Sequence, residues 1–190
     1  VDHRIAVVGF ASGSNNNLNY QNTELLTADV VKYNKITNED YQKALVSVNE
    51  NGALNNVITK AINAIDAEGA TRADIGLEMA TNIFAYNPVT DNRQRVVVFL
   101  TDGEPTSYNG FEYGVANVAI QNAYQLKNTY DATVYSVGVF DRGTSADSKV
   151  NNFMNYVSSN YSEDVVMSKY SKETTENIGG YYLDVSDVSK

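Results

Sequence analysis

"VVVFLTDGEPT", residues 96–106, decides the fold. An apolar run of five residues bounded by turn-forming residues reads as a strand covered on both faces, the kind that parallel sheets contain. Asp102 then stands at the strand's carboxyl end, where loops and helix N-termini converge in open parallel sheets and ligands bind. A lone ionised carboxylate at the rim of a dry core is costly unless a hydrogen-bond donor or a cation compensates it. Two readings of Asp102 follow: it caps the turn, as Asp before Gly commonly does, or it serves a ligand.

Working outward, "RIAVVGF" (4–10) and "TVYSVGVF" (133–140) have the same short, nearly continuous apolar character. "TELLTADVVKYN" (23–34), after the loop "ASGSNNNLNYQ", is more polar and reads as an edge strand or hairpin; "GYYLDV" (180–185) is the last strand candidate. Between these runs the period changes to that of helices. Thr37 and Asp40 make a capping-box spacing ahead of Ala44, Leu45 and Val48. Val57, Ala61, Ile62 and Ile65 share one side of a second helix. Ile75, Met79, Ile83 and Phe84 line a third, stopped by Pro88. Val115, Ala119, Ala123 and Leu126 form the stripe of a longer helix after Asp102, and Val150, Phe153, Met154 and Val157 that of another. Strands alternating with such helices predict an α/β domain: a doubly wound, mainly parallel sheet with helices on both faces. No internal repeat or linker divides residues 1–190, which read as a single domain.

Composition narrows the chemistry. With 23 acidic against 14 basic side chains the net charge is −9, which repels phosphate backbones and anionic lipid, so nucleic-acid and membrane-surface binding are not expected. The absence of cysteine removes thiol nucleophiles and thiolate metal sites, leaving hard oxygen ligands. The single histidine, His3, reads as a surface residue ahead of a strand, so serine–histidine hydrolysis and histidine-rich zinc sites lack support. No run is long enough to span a bilayer.

In "EGATRADIGLEMA" (68–80), Gly69 and Ala70 lead into Thr71 at a helix start. Thr71 with Asp74 fits a capping box, and the same hydroxyl can also offer its oxygen to a hard cation. "RIAVVGFAS", "GATRADIGLEMA", "VVVFLTDGEPT", "TVYSVGVF", "NFMNYVSSNY" and "GYYLDVSD", in that order along nearly the whole chain, resemble a von Willebrand factor type A domain of the Gram-positive surface-protein form. The resemblance implies a non-enzymatic adhesion or interaction module at the cell surface or wall, a pilus tip included. It also implies a metal-ion-dependent adhesion site with Thr71 and Asp102 as ligands of Mg2+, Mn2+ or Ca2+, completed by an acidic group of a protein partner such as host matrix or another surface protein.

One motif departs from that pattern. The family's Asp-x-Ser-x-Ser is absent: "DVSDVS" (184–189) has Val188 in its third place, and "ASGS" (11–14) has no preceding acid. The family's first strand and helix are therefore expected to be missing from this chain. In the family's strand order, 3-2-1-4-5-6, that strand lies between "RIAVVGF" and "RVVVFL". Unmet backbone groups there cost about 1–3 kcal/mol each when buried, so a complementing segment or a second copy is expected to fill the slot. Metal affinity is expected to be weak for the chain alone. The alternative reading is a phosphate-transfer or hydrolytic enzyme with Asp102 as nucleophile or metal ligand. Neither glycine-rich phosphate cradle follows any strand.

Overall fold

The computed structural model describes residues 3–11, 23–27, 29–51, 53–65, 69–140, 148–172 and 180–185. The amino-terminal part holds β1 (Arg4–Ile5), β2 (Val8–Gly9), β3 (Glu24–Leu25), β4 (Val31–Lys32), α1 (Asn38–Lys43), β5 (Val46–Ser47), β6 (Asn49–Glu50), β7 (Ala53–Leu54) and α2 (Asn56–Asn63). There follow α3 (Ala73–Tyr86), β8 (Arg95–Thr101), α4 (Tyr113–Asn128), β9 (Ala132–Gly138), α5 (Ser148–Val157) and β10 (Tyr182–Asp184). The chain is thus a mixed α/β protein.

Its centre is a three-stranded parallel sheet of order β10-β9-β8. β8 and β9 are in register from Arg95 opposite Ala132 to Thr101 opposite Gly138, with both crossovers helical, as parallel neighbours require. Phe99 points from β8 into the core, stacked on Phe10 (ring centroids 5.3 Å apart) and edge-on to Phe153 of α5 (6.0 Å). From β9, Ser136 faces the same way, and its buried hydroxyl donates to the Met154 carbonyl of α5 at 2.7 Å. The α4 stripe expected from the sequence is buried in full, as is that of α5. In α4 its alanines, Ala116, Ala119 and Ala123, let α3 and α4 approach closely.

The opposite face of the sheet differs from the expectation of cover on both sides. Val96, Val98 and Leu100 are 51%, 63% and 58% exposed, and Tyr135 and Leu183 continue the exposed apolar surface across β9 and β10. The helices that pack on this sheet, α4 and α5 among them, lie on the Phe99 face. β8 pairs with β9 only, so its other edge carries no strand among the described residues.

"RIAVVGF" also departs from the continuous strand expected. It splits into β1, antiparallel to β5, and β2, antiparallel to β3, which in turn pairs with β4 as the hairpin predicted for 23–34. Partners from two other segments account for the split. Between β1 and β2, Val7 donates to Thr27 Oγ1 and its carbonyl accepts from Leu26, so the backbone is satisfied without a continuous strand.

Two helix readings shift. The Thr37–Asp40 capping box forms and opens α1, but the helix ends at Lys43, and the stretch beyond it becomes β5, held by β1. In α2, capped by Asn55, the inward residues are Ile58 and Ala61, while Ile62 and Ile65 are both 53% exposed.

A half-buried cation ties down the segment at the carboxyl end of α5. Lys127 of α4 donates from Nζ to the carbonyls of Tyr156, Ser158 and Tyr161 at 2.8, 2.9 and 2.7 Å, one proton to each. Burial draws its pKa down to about 8, opposed by Glu163.

The two sides of β8 predict unequal costs. Phe99→Ala is expected to destabilise the chain by about 3–5 kcal/mol, and Val98→Thr to change stability by no more than about 0.5 kcal/mol, both read from urea denaturation. Equal losses would show that the Val98 face is covered.

Candidate functional site

The turn after β8 is shaped by Thr101. Its Oγ1 donates to the Gly103 carbonyl (3.1 Å) and accepts from the Gly103 amide (3.2 Å), so the side-chain cap that Asp102 was a candidate to make falls to its neighbour. Asp102 is exposed at the carboxyl edge of the sheet.

Thr71 lies in direct contact with this turn. A Cβ placed on Gly103 would stand 2.6 Å from Thr71 Oγ1, closer than real Cβ atoms come, so a residue with no side chain is what lets the two loops meet. The Thr106 amide donates to the Thr71 carbonyl at 3.0 Å and ties the loops a second time. The structure therefore sets Thr71 against Gly103 and Thr106, the neighbours of Asp102 in this turn.

The capping box expected from Thr71 and Asp74 does not form. Arg72 occupies the N-cap of α3 without a side-chain cap, and Thr71 falls one residue before it. Asp74 instead takes a two-pronged pair from Arg72, at 2.9 and 2.7 Å, both side chains being largely buried. Charge-assisted pairing of this kind is stronger than a neutral cap bond and accounts for the change.

Glu112 carries a role that sequence reading left unassigned. At the N-cap of α4 its carboxylate accepts from the Ser107 amide (2.9 Å), the Ser107 hydroxyl (2.8 Å), the Thr106 hydroxyl (3.1 Å) and the Tyr108 amide (3.2 Å). It thereby folds residues 105–112 into a fixed rim, and its charge suits the positive end of α4. Burial pushes its pKa up, but the hydrogen bonds from Ser107, Thr106 and Tyr108 outweigh that and hold it below the ordinary range. The available signal was a Thr-Ser pair a few residues ahead of an acid at a helix start. Glu104 is exposed on the same rim.

The arrangement sets the Thr71 hydroxyl against Gly103, in the turn that also carries the exposed Asp102. Among the described residues no group of three His, Cys, Asp or Glu side chains is placed to hold a metal ion. Magnesium needs a near-octahedral oxygen shell, and Thr71 and Asp102 supply only a small part of one, so these two residues do not make a complete centre. Of the rejected motif candidates, Ser12 and Ser14 and the end of "DVSDVS" from Ser186 onward lie outside the described residues. No protein family, curated protein or solved structure matches the chain.

Because the folded-state pKa of Glu112 is depressed, its contribution is present above the unfolded carboxylate value of about 4.3 and is lost as pH falls through the folded value. Hydrogen exchange by NMR is expected to show protected Ser107 and Tyr108 amides at neutral pH, deprotected in acid and, at every pH, in Glu112→Ala. Protection unchanged in that variant would contradict the assignment.

Proposed function

We propose that this chain is a non-enzymatic adhesion or protein-interaction module of a bacterial cell-surface protein, of the von Willebrand factor type A kind. In this reading the Thr71–Asp102 rim meets an acidic group of a protein partner through a divalent cation once further oxygen ligands are supplied. The observation that supports it is the contact of Thr71 with Gly103 and Thr106, in the turn that follows β8 and carries the exposed Asp102. Ligand sites in open parallel sheets lie at the carboxyl edge of the strands.

The proposal extends to the sheet itself. A doubly wound arrangement needs one further strand along the free edge of β8, provided by a complementing segment or a second copy. Two observations support a slot there. Among the described residues β8 pairs with a strand on one side only. Phe10, which follows β2, stacks on Phe99 at the middle of β8, yet β2 and β8 are not paired. The side chains thus share a core while the backbones stay apart. The partner would lie outside the cell, in host extracellular matrix or on another surface protein.

Calorimetry is expected to show no saturable binding of magnesium or manganese by this chain alone. Tight binding abolished by Asp102→Ala would contradict the need for further ligands. With the slot filled, retention on immobilised matrix protein is expected to depend on divalent cation and to be lost in Asp102→Ala. Retention indifferent to chelation would overturn the adhesive reading of this rim.

A further inference from the structure

The loop that Glu112 folds is pinned on both sides of its tip and unbonded at the tip itself. On one side the Tyr108 amide donates to Thr106 Oγ1 (3.1 Å) and to Glu112 Oε1 (3.2 Å); on the other the Glu112 amide donates to the Pro105 carbonyl at 2.9 Å. Between these anchors stand Asn109 and Gly110, both exposed. Among the described residues, neither the Asn109 side-chain amide nor the Gly110 backbone amide has a hydrogen-bond partner. Gly110 has φ +69°, and a Cβ built on it would meet nothing within 4 Å, so the space beside the dipeptide is open.

An asparagine followed by glycine carries an electrophile and a nucleophile within reach of each other, because glycine has no Cβ to block the approach and turns freely into the geometry required. The Gly110 nitrogen, its proton lost to solvent base, attacks Asn109 Cγ. A new N–C bond closes a cyclic imide, and the side-chain nitrogen leaves as ammonia after taking protons from solvent. Water then adds to either imide carbonyl and breaks one of the two ring C–N bonds, leaving an aspartyl or an isoaspartyl residue. At Asn109 no hydrogen bond has to break for the two atoms to meet. Asn117 and Asn155 lie inside α4 and α5 with their side chains bonded to Met167 and Asn160. Asn51, which opens the other Asn-Gly pair, is bracketed by the Glu50–Ala53 pairing of β6 and β7.

We propose that Asn109 is the chain's preferred site of self-modification, where Gly110 and water replace a neutral amide by a carboxylate. The product carries one negative charge more than the present −9 and sets it in the same loop as Glu112. The reaction uses neither a cation nor a partner, so it stands or falls independently of the adhesive reading.

Incubation of the folded chain in heavy-oxygen water at mildly alkaline pH, followed by peptide mass mapping, tests it. Acid is expected at Asn109 in aspartyl and isoaspartyl forms, with heavy oxygen incorporated and ammonia released. Its rate should exceed that at Asn117 and Asn155 by at least about tenfold, and exceed that at Asn51. It should also lie within about tenfold of the rate at Asn109 in urea, because segments of this kind open at almost no cost. Asn109→Gln, an exposed replacement that leaves the fold intact, should abolish the later-eluting species on anion exchange that accumulates with Asn109 conversion. Conversion at Asn109 that appears only in urea, or that runs no faster than at Asn51, Asn117 or Asn155, would overturn the proposal.

Discussion

The described part of the molecule is arranged around one seven-residue strand that, among the described residues, is paired along a single edge. β8 runs parallel to β9 along its full length and turns Phe99 into a core closed by Phe10 and Phe153. Its alternate residues, Val96, Val98 and Leu100, stay in water. A strand is two-faced and two-edged, so burying one face and pairing one edge leaves half of its apolar and hydrogen-bonding capacity unused. Apolar surface continuing over β9 and β10 is of the kind that marks an interaction site.

The same strand sets the position of the candidate rim. Where β8 ends, Thr101 shapes the turn, Gly103 admits Thr71, and Glu112 gathers the amides and hydroxyls of residues 106–108. The Thr101 and Glu112 bonds are local, and the Thr71 contact ties the turn to the loop before α3, so these protein groups fix the rim's shape among themselves.

What was legible in the residues follows from how local each signal is. The α4 and α5 stripes and the Thr37–Asp40 box were readable because a helix face or cap depends on residues three or four apart. β8, β9 and β10 were readable as apolar runs between turns. Residues 4–10 were misread because two short antiparallel pairings with 24–25 and 46–47 decide their state, and apolar content does not disclose a partner. The exposure of Val98 was hidden for the same reason: an apolar residue states what it would bury against, not whether that surface is present. At the candidate site, Thr71 and Asp102 were singled out by motif and edge position. The Arg72–Asp74 pair that displaces the cap, and the Glu112 latch, depend on side-chain geometry that spacing alone does not carry.

The one-sided pairing of β8 is most directly read by amide hydrogen exchange along residues 95–101 of the chain alone. Parallel pairing with β9 commits alternate amides of β8 and leaves those between them pointing to the free edge. Alternating protection, every second amide slow and its neighbours fast, is the predicted result. Uniformly slow exchange along the strand would mean that its second edge is already paired, and would contradict the open slot.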